Sequence, residues 1–214
     1  MIGQGVLREC LRDPDVRLVQ TVGRTATSVQ NPKLKEIVQP DLFQYAAIEQ
    51  QLSGFDACFF CLGVASAGMK AADYYHLTYE LTLAAAETLA RLNSRVTFIY
   101  VSGSGTDSSE RGRMRWARVK GKTENALLHL PFKAAYMFRP GFIQPLHGIQ
   151  SRTPLYRFFY TLTGPVLPLL RRMLPNQILT TEQLGLAMLV AAKRGAPKPL
   201  LEARDIRALA RESQ

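Results

Sequence analysis

Short apolar runs alternate with segments of helical periodicity along almost the whole chain. Strands separated by helices predict βαβ units, a parallel sheet and right-handed crossovers. We therefore expect an α/β fold whose strands form one parallel sheet with helices on both faces. The expected strands are 17–22, 34–39, 56–62, 95–101 and 134–138. The expected helices are 3–11, 46–52, 73–92, 115–130, 181–193 and 205–212.

Length and composition fit one globular domain, 1–214. The chain has 214 residues, of which 47% are hydrophobic and 21% are charged, so it can bury a substantial core. No uninterrupted apolar run reaches the length that a membrane span needs, and the amino end lacks the pattern of a signal peptide. These features lead us to expect a cytoplasmic protein.

The cysteines and histidines give no indication of a metal or redox site. Cys58 and Cys61 have C-x-x-C spacing but lie on one predicted strand, where residues three apart point to opposite faces. We expect two buried thiols that neither pair nor share a metal. The chain has only three His, and they are not clustered with cysteines, so no metal site is expected.

The formal net charge of +10 favours anionic ligands: nucleotide phosphates, nucleic acid or anionic lipid. The segment 111–122 holds six Lys and Arg and no acidic residue, which makes nucleic-acid binding one interpretation. A solvated basic helix face is the commoner explanation of such a pattern. Nucleic acid is therefore not the partner we expect.

The predicted strands end in turn-forming and polar residues. In parallel sheets ligands bind at the carboxyl ends of the strands, where glycine allows close backbone approach and Ser or Asp supplies hydrogen bonds. The strand ends are Gly23-Arg24, Pro40-Asp41, Leu62-Gly63, Ser102-Gly-Ser-Gly105 and Pro140-Gly141. A ligand site is predicted at this edge of the sheet.

In their order and placement, these motifs resemble the atypical and extended short-chain dehydrogenase/reductases, including their epimerase-like and NmrA-like members. The resemblance covers residues 1 to about 145 and implies a Rossmann-like doubly wound sheet that binds NAD(P). The family opens with a strand and a G-x-x-G-x-x-G loop, whose last glycine lets the next helix pack on the sheet. Gly3 matches that glycine, so the first strand and most of the loop are missing. We expect a biological start upstream of Met1; the alternative is a form weakened in fold and cofactor binding.

The resemblance also implies cofactor contacts. Arg24 stands where an acidic residue would bind the adenosine ribose, and an Arg there accepts a 2′-phosphate, so we expect NADP, with NAD as the alternative. Asp41 is expected near the adenine, and Leu62-Gly63 would let the dinucleotide pass. Pro140-Gly141 matches the family's turn into the substrate lobe. A turn arginine, a capping Asp and a turn glycine are the structural alternatives.

The catalytic end carries one departure from the family. Ser102 or Ser104 matches the serine that binds the reacting oxygen, or belongs to a plain Gly/Ser turn. Lys120 matches the lysine of the Y-x-x-x-K pair, which binds the nicotinamide ribose and lowers the pKa of the tyrosine. Trp116 stands in place of that tyrosine, and an indole N–H is only a donor. We expect Lys120 to act mainly in cofactor binding; Tyr100 and Tyr136 are other candidate phenols.

Three functions remain open at this point. The first is an oxidoreductase of a small, largely apolar carbonyl or hydroxyl compound, since the resemblance implies that residues 143–176 form an apolar substrate-side lobe. The second is a non-catalytic NADP-sensing module that binds a protein partner, and the third is a nucleic-acid-associated protein. Contact of the lobe with a membrane surface, through its arginines, is a minority alternative.

Overall fold

The computed structural model describes residues 1–149 and 178–213. The strands of this part of the chain are β1 (Val19–Gly23), β2 (Leu34–Val38), β3 (Ala57–Phe60), β4 (Thr97–Val101), β5 (Ala134–Arg139), β6 (Phe142–Gln144), β7 (Ile178–Thr180) and β8 (Leu200–Glu202). The α-helices are α1 (Ile2–Arg12), α2 (Ala71–Tyr75), α3 (Leu81–Leu92), α4 (Arg115–Leu128), α5 (Thr181–Arg194) and α6 (Ala203–Arg211). A 3₁₀-helix spans Ala46–Leu52, and a π-helix, His76–Glu80, joins α2 to α3.

Every strand pair is parallel, as predicted, but the strands form three sheets. β3, β4, β5 and β8 make one sheet in that order, while β1 pairs with β2 and β6 pairs with β7. The prediction of a single sheet is therefore wrong. Among the described residues no strand lies between β1 and β3, so no ladder joins the β1–β2 pair to the larger sheet. The predictions also omitted β6, β7 and β8, which are three residues each and too short to show a period.

The four-stranded sheet has a hydrophobic core on each face. Ile99 and Val101 of β4 belong to the first core, with residues of α1, α5 and α6. Phe98 and Tyr100 belong to the second core, with residues of the 3₁₀-helix, α3 and α4. Side chains of a strand alternate between its faces, and all five residues of β4 are buried, as in a central parallel strand. The expectation of helices on both faces is confirmed.

Two predicted segments differ from the structure. The helix expected at 73–92 is divided by the π-helix His76–Glu80, a local widening that apolar periodicity does not reveal. The apolar lobe predicted at 143–176 begins with the last two residues of β6 and the turn that follows it. The rest of that lobe, 150–176, lies outside the described residues.

Candidate functional site

The turn that follows β4 is held against the end of β5. The N–H of Ser102 donates to the backbone oxygen of Phe138 at 2.9 Å, and the N–H of Ser104 donates to that of Pro140, also at 2.9 Å. The predicted elements Ser102–Gly105 and Pro140-Gly141 are therefore neighbours at the carboxyl edge of the sheet. Gly105 has φ +82°, a left-handed conformation that favours glycine.

The two candidate serines differ in availability. Ser102 is buried, and its hydroxyl donates to the backbone oxygen of Phe138 at 3.2 Å. Ser104 is exposed. Because a reacting serine needs a free and accessible hydroxyl, Ser104 is the better placed of the two, a distinction that the sequence left open.

Lys120 and Trp116 contact this turn from α4. The Lys120 ammonium donates to the backbone oxygen of Ser102. A Cβ placed on Gly103 would lie 3.9 Å from the Lys120 Nζ, and one on Gly105 would lie 3.5 Å from Cη2 of Trp116. Residues four apart share a helix face, and both side chains approach the Ser102–Gly105 turn.

Burial makes Lys120 an unusual lysine. Removal of its ammonium from water lowers the pKa of Lys120 to about 8, against the opposing effect of the Glu124 carboxylate one helical turn away. A group with a pKa of about 8 exchanges a proton readily near neutral pH. Lys120 is thus the titratable group at the turn.

The two tyrosines named as substitutes for Trp116 lie elsewhere. Tyr100 is 2% exposed in the second core, and desolvation raises its pKa well above the ordinary value for tyrosine. The Tyr136 hydroxyl accepts a hydrogen bond from the N–H of Ala196 at 3.1 Å. Neither hydroxyl is therefore placed to replace the missing tyrosine at the Ser102–Gly105 turn.

Two features that the sequence analysis missed fix α4 in place. A Cβ on Gly121 would overlap the backbone oxygen of Asp107, so only glycine lets α4 pack this closely on the loop. The carboxylate of Glu124, fully buried, binds the guanidinium of Arg139, whose Nε donates to Oε1 at 3.0 Å. The sequence shows a Lys-Gly pair on the predicted helix and an Arg at a strand end. Neither pattern identifies the residue that Gly121 or Arg139 contacts in the fold.

The residues predicted to bind the adenosine half of the cofactor lie at the start of α1 and after β1, β2 and β3. A Cβ on Gly3, at the start of α1, would lie 3.5 Å from that of Cys61. Arg24 and Leu62 are exposed and line a cleft between β1 and β3. Gly63 follows Leu62 and is also exposed. Gly3, Arg24 and Leu62 line one cleft. The Asp41 carboxylate instead accepts the N–H of Phe43 at 2.9 Å in an Asx turn. It does not cap the 3₁₀-helix, whose N-cap is Tyr45.

Glu36 is an acidic residue beside the loop that follows Arg24, which the sequence analysis did not place there. It stands opposite Thr21 in the β1–β2 ladder, and its carboxylate accepts the N–H of Thr27 at 2.7 Å. These hydrogen bonds lower the pKa of Glu36 and order the loop that follows Arg24. Strand pairing brings Glu36 there from twelve residues further along the chain.

The close packing expected at Gly3 is found at Gly5. A Cβ on Gly3 would meet only an ordinary contact, whereas one on Gly5 would lie 2.8 Å from the backbone oxygen of Thr181. Gly5 faces α5, where a Cβ on Gly185 would in turn lie 3.1 Å from the Gly5 oxygen. The tight approach is thus between α1 and α5, not between Gly3 and the sheet.

The prediction that Cys58 and Cys61 face opposite sides of one strand is confirmed, although both side chains are partly rather than fully buried. Cys58 packs against the second core and Cys61 against the first, so the two thiols face opposite sides of β3. All three cysteines are free, and desolvation raises the pKa of each to about 12. Thiols that rarely ionise are poor nucleophiles.

A cleft of about 2570 Å³ separates β1 from β3. Both strands line it, together with the inner faces of α1 and of the second-core helices. Within the described ranges, no helix is long and apolar enough to cross a membrane.

Comparison with known proteins gives distant relatives. No family model matches the chain. It is 27% identical over 149 residues to the mitochondrial protein fmp52 of Emericella nidulans, and 24% identical over 144 residues to fmp52-2 of Aspergillus oryzae. These alignments cover 67% and 66% of this chain, and they span 63% and 62% of the length of those relatives.

The expected cytoplasmic location is contradicted by these relatives. The two proteins above, and the matching proteins of Scheffersomyces stipitis and Aspergillus terreus, are all named as mitochondrial. The prediction rested on composition and on the lack of a signal-peptide pattern, which is a test for secretion and not for delivery to mitochondria.

Solved structures share the architecture at low identity. WbmG of Bordetella bronchiseptica, solved in complex with NAD, superposes with a TM-score of 0.63 at 10% identity, over 100% of this chain and 74% of that one. The UDP-glucose 4-epimerase of Thermotoga maritima gives 0.63 at 13% identity, over 99% and 79%. A short-chain dehydrogenase family protein of Francisella tularensis gives 0.58 at 12% identity, over 91% and 87%. The chain therefore has the Rossmann-like α/β fold of these short-chain dehydrogenase and epimerase structures.

Proposed function

We propose that the chain is an NADP-dependent oxidoreductase that acts on a small, largely apolar carbonyl or hydroxyl compound. The observation that carries the proposal is the placement of Lys120 and Trp116 against the Ser102–Gly105 turn, at the carboxyl end of β4. In open α/β sheets the ligand lies at this edge. Solved proteins of the same fold include one in complex with NAD.

In this proposal each residue at the turn has a separate role. Lys120 would bind the nicotinamide ribose, and with its pKa near 8 it is also the group able to give or take a proton. Ser104 would bind the substrate oxygen, because the hydroxyl of Ser102 is already used by Phe138. Trp116 would form an apolar wall of the pocket, which suits a substrate without many polar groups.

The adenosine end supports NADP over NAD. Arg24 is exposed at the end of β1, where a 2′-phosphate would meet its guanidinium. Gly3, Leu62 and Gly63 would face the pyrophosphate and the adjoining ribose.

A second candidate is a non-catalytic NADP-sensing module that binds a protein partner. Trp116 favours it, because an indole cannot exchange a proton at neutral pH. Both candidates require the same cofactor site and differ only in turnover.

The cofactor site is tested by titrating the 214-residue chain with NADPH and NADH. Trp116 is the only tryptophan, so quenching of its emission reports binding at this turn. Loss of the Lys120 hydrogen bonds should cost about 1.5–3 kcal/mol, so Lys120→Ala should bind NADPH roughly ten- to a hundredfold more weakly. Lys122→Ala is the matched control, since the Lys122 ammonium donates instead to the Tyr75 hydroxyl at 2.9 Å. Equal NADPH affinity in Lys120→Ala and the unchanged chain, or no saturable quenching, would overturn the proposal.

A further inference from the structure

The amine of Lys120 is held by an uncharged partner. It donates to the backbone oxygen of Ser102, and it forms no ion pair with the residues that the structure describes. The carboxylate one helical turn away, that of Glu124, is bound instead by the Arg139 guanidinium, whose Nε donates to Oε1 at 3.0 Å. No adjacent anion therefore holds the proton on Lys120, so its neutral amine forms more easily than that of an ion-paired lysine.

Lys122, two residues further along α4, has the opposite environment. Its ammonium donates to the Tyr75 hydroxyl at 2.9 Å and lies 5.0 Å and 4.9 Å from the ring centres of Tyr75 and Tyr79. The hydrogen bond raises the pKa of Lys122, and the faces of aromatic rings attract a cation. Both lysines are half-buried. Two lysines of one helix thus differ in how readily they become neutral.

The Lys120 nitrogen lies beside open space at the turn. Adjoining residues aside, a Cβ on Gly103 would contact only the Lys120 Nζ among the described residues, at 3.9 Å. In the same way, a Cβ on Gly105 would contact only the Trp116 ring, at 3.5 Å. Gly103 is half-buried and Gly105 is exposed. An amine and an aromatic ring with room between them suit a small, apolar ligand.

The same turn has hydrogen-bond donors for an oxygen atom. The N–H groups of Ser102, Ser104 and Thr106 are bonded to backbone oxygens. Those of Gly103 and Gly105 have no partner in residues 1–149 and 178–213. Free backbone N–H groups stabilise the negative charge that develops on a carbonyl oxygen when a nucleophile adds to it. The turn thus combines a nucleophilic nitrogen with donors for the oxygen of a carbonyl group.

We propose that Lys120 is a nucleophile that binds small, apolar aldehydes or ketones covalently, as an imine. The neutral amine adds to the carbonyl carbon, so a C–N bond forms while the carbonyl π bond breaks. Both amine protons and the carbonyl oxygen then leave as one molecule of water, and no oxidant or reductant is consumed. Desolvated lysines are established Schiff-base nucleophiles, and this step needs no tyrosine at position 116.

This activity goes beyond the proposed oxidoreductase. It belongs to the chain without a dinucleotide, because a bound ribose would occupy the same amine. The inference therefore does not rest on the proposed cofactor site.

The test traps the imine in the 214-residue chain. Benzaldehyde and cyanoborohydride are added without NADPH, and the reductant converts each imine into a stable secondary amine. Peptide mapping by mass spectrometry gives the labelling rate of each lysine. At pH 7 about one Lys120 amine in ten is neutral, against fewer than about one in a thousand for a lysine with a pKa of about 10.4. Lys120 should therefore be labelled at least about tenfold faster than Lys122, the matched control.

The ratio of the two rates should also depend on pH. Between pH 7 and 10 the neutral fraction of Lys120 rises about tenfold, whereas that of an ordinary lysine rises by several hundredfold, roughly. The Lys120-to-Lys122 ratio should therefore fall by at least about tenfold over this range. Among the described residues, the charged side chain that acts on Lys120 is Glu124, which stays paired with Arg139.

The variant Lys120→Arg keeps a cation at the turn but cannot form this imine. The fast phase of labelling should disappear from its intact mass, while the slow labelling of other amines remains. Equal labelling of Lys120 and Lys122, a ratio that does not change with pH, or a fast phase that persists at Lys122 in Lys120→Arg would overturn the proposal. NADPH affinity is measured separately, so failure here is distinct from failure of the cofactor site.

Discussion

The buried Glu124 carboxylate binds the guanidinium of Arg139, and this pair ties α4 to the end of β5. Glu124 stands one helical turn from Lys120, on the helix that brings Lys120 and Trp116 to the Ser102–Gly105 turn. The ion pair therefore fixes α4, and with it Lys120 and Trp116, against the end of β5. Arg139 also reaches Glu202 and the hydroxyl of Ser108, which extends the contact to β8 and to the loop before α4.

Arg139→Met should leave Glu124 buried without its main partner. Removal of one member of a buried ion pair costs about 3–5 kcal/mol. Urea unfolding measures the loss in the free energy of unfolding. Arg91→Met is the control, because its pair with Glu49 is exposed and should contribute less than about 1 kcal/mol. Similar losses in the two variants would show that the Glu124–Arg139 pair is not structurally important.

Lys120→Met should stabilise the fold at pH 7 and lose that advantage at high pH. The folded pKa of Lys120, about 8, is below the unfolded value of about 10.4. The unfolded chain therefore binds more protons between these values, and the stability of the unchanged protein rises with pH across that window. Burial of the charged Lys120 costs the unchanged protein at most about 3 kcal/mol of stability below pH 8, and this cost disappears by about pH 10.4. Urea unfolding from pH 7 to 10.5 measures the free energy of unfolding of both chains. A difference between them that does not change with pH would contradict a lowered pKa of Lys120.

Gly5→Ala and Gly3→Ala should behave differently although both lie in α1. The added methyl at position 5 would meet the Thr181 backbone 2.8 Å away, a clash that α1 and α5 must separate to relieve. A loss of about 1–3 kcal/mol in the free energy of unfolding is expected. At position 3 the nearest atom is 3.5 Å away, so that variant should change little. Thermal or urea unfolding compares them, and a larger loss at position 3 would contradict the packing.

Arg24→Asp should reduce or invert the preference for NADPH over NADH. The change removes the cation that would pair with a 2′-phosphate and introduces a carboxylate able to bind ribose hydroxyls. The ratio of the two dissociation constants should shift by about tenfold or more, if one charged hydrogen bond of about 1.5–3 kcal/mol is lost. Trp116 quenching measures both constants. A ratio that is unchanged by the substitution would mean that Arg24 is only a turn residue.

Trp116→Tyr separates the two candidate functions. NADPH affinity should be little altered in either case, because Lys120 and Arg24 remain, and intrinsic NADPH fluorescence can follow binding once the tryptophan is lost. For an oxidoreductase that uses another proton donor, turnover of small aldehydes and ketones should stay the same or fall. Reductase activity that appears only in the variant would instead identify a sensor that lacks its acid.

Local sequence determined the α/β alternation, the parallel pairing and several side-chain directions. Apolar periodicity depends on the repeat of a single helix or strand, so it placed Cys58 and Cys61 on opposite faces. The four-residue spacing of Trp116 and Lys120 likewise puts them on one helix face. The glycines, serines and prolines at the strand ends also located the edge where the candidate site lies.

Tertiary structure alone decided how the strands divide among sheets and which groups meet. Whether β1 pairs with β3 depends on what stands between them, and no local pattern in either strand reports its neighbour. The same holds for Gly5 against Thr181, Glu36 beside the loop after Arg24, and Glu124 with Arg139. These contacts join residues that are distant in sequence, and their energies depend on burial and mutual geometry that arise only when the chain is folded.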